Sequence, residues 1–352
     1  MKSFQNLKEN PEFFERYFIK EYMIQAIRKF FEAKNYHELE SPILADALPQ
    51  ERYLNVLSTE IQLQNGTKKT AYLIPSTETW NKKILAAGLG NHFTITKVFR
   101  GLEEISPNHA PEFTMLEWYE LDHNYHDLMD STEELIKSII EYINSKKLNH
   151  YRYDDGTVLY NDTKIKFFEK WQRKSVRELF KENLDTNLED IISLDGVKIL
   201  AEKLNVKILD NDDWHTIFDI IFSEFIETKF PEDIPIFVYD YPKIMCPLTK
   251  PSETDPLVSQ KVELYIARKE IANGYTELLD ADLQKENFDR EQKARAELGR
   301  PEIKYDNDLI DALSLGIPKV AGIGMGLDRL AMILANAKSI SDINFFPASE
   351  WN

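Results

Sequence analysis

The groups most able to do chemistry fall into three segments of a 352-residue chain. The first is Ala321-Gly-Ile-Gly-Met-Gly-Leu-Asp-Arg329. Gly322, Gly324 and Gly326 alternate, which strips one face of a strand of side chains, and Arg329 follows on the first turn of the helix that the pattern predicts next. A flat or phosphorylated ligand can approach such a backbone while a guanidinium meets its charge. No Gly-Lys-Ser/Thr follows, so this is not a Walker loop, and the spacing is not that of the dinucleotide fingerprint. Alone, such a strand serves tight packing as readily as a ligand.

The second segment runs from Phe99 to Leu121. Arg100 stands at a strand end, a polar loop carries Glu103, Glu104 and His109, and Phe113 heads the return strand. Along that strand Phe113, Met115, Glu117 and Tyr119 share one face, and Thr114, Leu116 and Trp118 share the other. The first face reads either as a lined pocket or as a half-exposed strand. The third segment, Val262 to Leu278, carries Glu263, Glu270, Asn273 and Glu277. A two-residue turn at Ala267-Arg268 would set Glu263 opposite Ala272 and Glu270 opposite Tyr265. The two glutamates would then be diagonal neighbours roughly 7 Å apart, near enough to share one or two hydrated cations. Asn273 and Glu277 share a face, whereas Glu270 is out of phase with them. A bulge near Gly274 is needed if all three line one site; the other reading is a surface strand with scattered acids.

Other candidates are weaker. His123 and His126 lack a third ligand nearby and read as surface histidines. Cys246 has no adjacent histidine and reads as a small buried or loop residue. The pairs Lys68-Lys69 and Lys82-Lys83 are too short to mark a nucleic-acid patch. With 60 acidic against 43 basic residues the net charge is −17, which argues against broad autonomous binding of a polyanion. No apolar run approaches the ~20 residues of a membrane span. The polar start from Met1 to Asn10 lacks the apolar core of a secretion signal, and a single cysteine suits a reducing compartment, so a cytoplasmic protein is expected.

Periodicity predicts the elements that must position these groups. Phe14, Phe18, Ile24, Ile27 and Phe31 recur at helical spacing between Phe13 and Tyr36, and Pro42 restricts the segment after that helix to an edge strand. Strands are expected at Leu73-Ile74, Phe93–Phe99, Phe113–Leu121 and Ile236–Tyr241, and helices at Thr77–Ala87 and Tyr125–Lys147. A hairpin is expected around Asp155-Gly156, and three helices with acidic, lysine-rich outer faces form a mostly solvated insertion over about 173–230. Thr249–Pro256 reads as a mobile loop. Helices at Ala281–Leu298 and Leu309–Leu315 and a strand-to-helix unit at Val320–Ala335 complete one domain. The fold class expected is α+β, an antiparallel β-sheet flanked by helices.

Taken together, Phe99-Arg100 through His109-Ala-Pro-Glu-Phe113 and the glycine-rich strand with Arg329 resemble motifs 2 and 3 of the class II aminoacyl-tRNA synthetases. Pro42 after the long helix resembles motif 1. His109-Ala-Pro-Glu-Phe-Thr-Met-Leu-Glu-Trp-Tyr119 and Glu270-Ile-Ala-Asn-Gly-Tyr-Thr-Glu-Leu278 narrow the resemblance to the lysyl branch. It implies a catalytic core that handles ATP and Mg²⁺. Arg100 would meet the α-phosphate and carboxylate, and Glu103 or Glu104, His109 and Phe113 the ATP. Gly326 and Glu270 would join the ATP site, and Arg329 would meet the γ-phosphate. Glu263 and Glu270 would carry Mg²⁺. Glu78 would take the substrate α-amino group, Asn273 its carboxylate and Glu277 its distal ammonium, with Glu117, Tyr119 and Gly324 lining the same pocket.

The long helix begins within about the first dozen residues, so no N-terminal OB-type anticodon domain is expected. Glu117-Trp-Tyr119, Ile271-Ala272-Asn-Gly and Asp306 to Pro318 resemble the stand-alone ligases that attach β-lysine to a lysine of elongation factor P. Gly324 stands where those ligases typically carry alanine, and Pro107-Asn108 where an arginine usually precedes the motif 2 histidine. Lysine and β-lysine both stay open as substrates. The expected activity is formation of an aminoacyl-adenylate and transfer to elongation factor P. The alternatives are a minimal synthetase core charging tRNA and a catalytically silent amino-acid sensor. The motif 1 resemblance implies a homodimer.

Overall fold

The computed structural model describes residues 3–101 and 105–351, so Glu103 and Glu104 lie outside the described residues. A short helix α1 (Ser3–Glu9) leads into α2 (Phe14–Ala33). Ile19, Met23, Ile27, Phe30 and Phe31 of α2 are buried at intervals of three and four, as an amphipathic helix requires. Asn35 leaves the helix with a φ of 61°, a conformation asparagine tolerates.

Next come β1 (His37–Glu38), β2 (Leu44–Ala45), β3 (Leu57–Gln62), β4 (Lys68–Leu73) and α3 (Glu78–Ala86). The antiparallel pair β5 (His92–Phe99) and β6 (Glu112–Leu121) and the helix α4 (Tyr125–Ser145) follow. A hairpin of β7 (Thr157–Tyr160) and β8 (Thr163–Lys166) precedes β9 (Gln172–Ser175). After α5 (Val176–Leu184), α6 (Leu194–Lys203) and α7 (Trp214–Ile221) come β10 (Ile236–Pro242), β11 (Val258–Ile266) and β12 (Lys269–Thr276). The chain ends with α8 (Ala281–Glu297), α9 (Asn307–Ser314), β13 (Val320–Gly326) and α10 (Leu327–Leu334).

The main sheet has eight strands in the order β1-β5-β6-β13-β12-β11-β10-β9. Its six central strands are antiparallel, as expected, and the edge pairs β1/β5 and β10/β9 are parallel. The sheet is two-faced because β6 alternates. Leu116 and Trp118 join the main core with Leu135, Ile136, Ile139, Ile140 and Ile143 of α4, while Met115, Glu117 and Tyr119 face the opposite side. One face is therefore closed by α2, α4 and α10, and the other is free to carry a site.

Several expectations are corrected. The hairpin turns at Asn161-Asp162, both with positive φ (46° and 65°), and Asp154–Gly156 is a single 3-10 turn that precedes β7. Ala267 and Arg268 do form the two-residue turn, with φ of 47° and 60°. The register slips after it between Leu264 and Tyr265, so Glu263 faces Asn273 rather than Ala272, while Glu270 faces Tyr265. The bulge thus falls at Ile271, not near Gly274. The stretch 249–256 is a loop, as expected, held at its start by bridges of Thr249 to Glu277 and Pro251 to Ser259. Finally, the three helices of the insertion bury Phe180, Ile217 and Phe218 in a second core that includes Val238 and Tyr265 of the sheet. They are packed on its edge rather than mostly solvated.

Candidate active site

On the open face of the sheet lies a cavity of about 290 Å³. Every described residue proposed from the sequence lines it except Glu263: Glu78, Arg100, His109, Phe113, Glu117, Tyr119, Glu270, Asn273, Glu277, Gly324, Gly326 and Arg329. Segments far apart in sequence thus converge because β6, β13 and β12 are adjacent strands, with α3 and the β5–β6 loop closing the two ends.

One end is cationic and aromatic. The Arg100 guanidinium lies 5.5 Å from the centre of the Phe113 ring. Among the described residues its buried Nε has no hydrogen-bond partner. Arg329 reaches back from the first turn of α10 and donates from Nη1 to the Glu270 carbonyl (2.8 Å) and from Nε to that of Asn108 (3.3 Å). Asp328 beside it accepts from the Thr114 amide and from Lys20, which fixes how α10 presents Arg329. His109 Nδ1 lies 3.0 Å from Ser106 Oγ, which steadies the loop.

The opposite end is acidic. Glu78, Glu117 and Glu277 are all less than a tenth exposed. Glu117 accepts from the Thr77 amide (2.8 Å) and, more weakly, from Asn81 and Tyr119. Burial pushes its carboxyl up to about 7. Glu277 is pushed up to about 8, chiefly by burial and further by Glu78 and Glu117, against the pull of Lys82. Glu78 accepts from the Tyr275 hydroxyl (2.6 Å). Gly322 is indispensable here, since a Cβ on it would come 2.4 Å from the Tyr119 ring and 2.6 Å from Glu277 Oε1. At Gly324 and Gly326 the nearest atoms would be 3.6 and 3.8 Å away, so the absent side chains there leave room rather than relieve a clash.

Glu270, at the Arg329 end, borders both this cavity and the next, and Glu263 borders only the next. Glu263 lines a neighbouring cavity of about 380 Å³ together with Glu270 and Lys261. Its carboxylate already has Lys261 Nζ at 2.8 Å, Asn273 Nδ2 at 2.9 Å and the Tyr241 and Tyr265 hydroxyls. Burial alone would raise its pKa; Lys261 and these hydrogen bonds outweigh burial and hold it below the usual range. Glu270 is raised by its recessed position and then by the Glu263 charge, and its ion-pair partner, Arg329, stands 3.8 Å away. A divalent cation fits this donor set through Glu270, because a positive ion would relieve the repulsion between the two carboxylates and hydrated Mg²⁺ needs only one or two protein carboxylates beside phosphate oxygens.

Two contributors, Glu51 and Lys82, escape the sequence reading. Glu51 lines the cavity, and burial pushes it up to about 7, aided by Glu78 and opposed by Arg100. Cys246 lines the cavity as the small buried residue that the sequence predicts, and burial drives its thiol up to about 11, away from a nucleophile's range. Lys82, set aside as half of a pair too short to mark a nucleic-acid patch, is fully buried between Glu78 and Glu277. Its position four residues after Glu78 on one helix face was the available signal.

Known proteins match nearly the whole chain. The family described as tRNA synthetases class II (D, K and N) matches residues 2–350. A lysine–tRNA ligase of Haemophilus influenzae (strain PittEE) is 33% identical over 353 residues, covering 97% of this chain and 66% of that protein. One of Aquifex aeolicus (strain VF5) is 34% identical, covering 97% and 55%. One of Legionella pneumophila (strain Paris) is 32% identical, covering 98% and 67%. The chain therefore spans between about half and two thirds of the length of these relatives.

Proposed function

The chain belongs to the class II tRNA synthetase family (D, K and N), and from that premise we propose that it activates lysine or β-lysine with ATP as an aminoacyl-adenylate. The observation that carries this reading is the acidic end of the cavity. Three buried glutamates have one resident ammonium among them, that of Lys82, which pairs with Glu78 and Glu277 and leaves Glu117 without a cation. Buried carboxylates are costly without partners, and a diamino acid brings the two that are missing.

The substrate carboxylate is ionised at neutral pH and attacks the α-phosphorus without a general base. The new bond joins carboxylate oxygen to phosphorus, and the bond to the bridging oxygen breaks as pyrophosphate leaves. The protein supplies alignment and fixed positive charge. Arg100 meets the α-phosphate, Arg329 the γ-phosphate, and Phe113 and His109 hold the nucleoside end. Glu78 takes the α-ammonium and Glu277 the distal one, and Asn273 orients the carboxylate. Glu270 and Glu263 would hold Mg²⁺, which would supply neutralisation of phosphate charge.

For the second half-reaction, the local resemblances at 117–119, 271–274 and 306–318 support a lysine side chain of elongation factor P as acceptor. The net charge of −17 agrees with a protein acceptor better than with a polyanion. A second reading, charging of tRNA, is favoured by the lysine–tRNA ligases that the chain is similar to. ATP–pyrophosphate exchange with lysine and β-lysine, followed by transfer to elongation factor P and to bulk tRNA, separates these. Exchange with neither amino acid overturns the activation reading; charging of tRNA alone overturns the protein-acceptor reading.

A further inference from the structure

Lys82 does not line the cavity; it lies behind the acidic end, with its side chain wholly inaccessible. Its ammonium is 2.5 Å from Glu78 Oε1 and 2.7 Å from Glu277 Oε2. The Tyr275 ring closes over it at 5.9 Å and donates its hydroxyl to the other Glu78 oxygen. An ammonium so deeply buried is tolerable only when paired, and here one ammonium is shared between two carboxylates. It ties the α-amino contact on α3 to the distal-amine contact after β12, so those two oxygens stand no farther apart than the two ion-pair contacts laid end to end.

We propose that Lys82 is a resident counter-cation that sets the charge deficit of the amino-acid pocket at two, and so restricts the ligand to one carrying two ammonium groups. Lys82 is a positioning residue, acting through Glu78 and Glu277, and its role rests on the diamino-acid reading given above. Once Glu117 and Glu277 have given up their protons to receive a ligand, the charges of Glu78, Glu117 and Glu277 exceed that of Lys82 by two. A monoamino acid would leave one carboxylate buried without a cation. Burial works against the Lys82 ammonium, and the two glutamates outweigh burial, keeping it above the ordinary lysine range and charged at every working pH. The groups facing this cluster are Glu78 from α3, Glu117 and Tyr119 from β6, His92 from β5, Tyr275 from β12 and Glu277 itself. On the α9 side the nearest ion pair, Lys83 with Asp306, is internally balanced.

The test is ATP–pyrophosphate exchange with lysine between pH 6.5 and 9, on the full chain, for wild type, Lys82→Met, Lys82→Arg and Lys82→Ala with and without methylammonium. In Lys82→Met, Glu277 loses its cation and ionises only at higher pH. The KM for lysine is expected to rise about a hundredfold at neutral pH and to recover at the alkaline end, with the KM for ATP unchanged. Methylammonium should restore lysine affinity to Lys82→Ala, and Lys82→Arg should keep the wild-type pH profile. A folded Lys82→Met with wild-type KM overturns the proposal, as does a rise in KM that is the same at every pH and indifferent to methylammonium. Should Lys82→Met not fold, a displaced pH profile in Lys82→Arg overturns it instead. Failure of the diamino-acid reading is distinct, because wild type itself would then show no exchange with lysine.

Discussion

Substitution of Gly322 by alanine separates a pocket built to tolerance from a glycine-rich strand that merely packs. The added Cβ would stand 2.4 Å from Tyr119 Cε1 and 2.6 Å from Glu277 Oε1, against the ~3.5–4.0 Å of ordinary carbon contacts. The Tyr119 ring must therefore move by about 1 Å. It has nowhere to go, being 3% exposed and stacked on His92 at 5.5 Å between centroids. Overpacking of this kind costs about 1–3 kcal/mol, and a displacement of about 1 Å at a positioning group costs about a hundredfold in turnover efficiency. Gly324→Ala is the control on the same strand, because its nearest neighbours would lie at 3.6 Å. Thermal unfolding and the kcat/KM for lysine in pyrophosphate exchange are the assays. Gly322→Ala should lose several degrees of Tm and about two orders of magnitude in kcat/KM, while Gly324→Ala keeps its Tm and changes at most the balance between lysine and β-lysine. Wild-type kinetics in Gly322→Ala, or an equal loss of Tm in Gly324→Ala, would refute the reasoning.

Lysine affinity should strengthen as pH rises from about 6 to about 8, because Glu117 and Glu277, raised to about 7 and about 8 in the free protein, must give up protons to receive ammonium groups. Calorimetry in buffers of different ionisation enthalpy should record proton release on binding; uptake, or no transfer, would show that these carboxylates do not meet the ligand. Arg329→Ala should abolish exchange and leave Tm near wild type, since its hydrogen bonds are made to two backbone carbonyls; unchanged turnover would mean the γ-phosphate contact is misassigned. Sedimentation at micromolar concentration should report a homodimer, which a monomer would contradict.

Much of the site was legible because strand alternation is a strict constraint. Glu117 and Tyr119 had to share a face with Phe113, and the alternate glycines had to clear one side of β13. The bulge was harder to place, since Ile271-Ala272 carries neither glycine nor any other bulge signature, and one extra residue there moves Glu263 from Ala272 to Asn273. Asp155-Gly156 misled for a different reason. Gly156 has a φ of 72° and Phe168 occupies the place of its Cβ, so that glycine serves a packed turn before the strand. Lys82 and Glu51 were hidden because a lone charged residue reads as solvated until its partners, 195 residues along the chain in the case of Glu277, are brought beside it by the sheet.

The central claim, that the acidic end of the cavity is built for two ammonium groups on an amino acid activated by ATP, is tested most directly by comparing lysine with norleucine in ATP–pyrophosphate exchange. Norleucine has the same chain length and lacks only the distal amine. Lysine should support exchange, with a kcat/KM about 10⁴-fold above that of norleucine, the discrimination typical of a site that leaves a buried polar group unpaired. Equal exchange with norleucine, or none with lysine, would contradict the account.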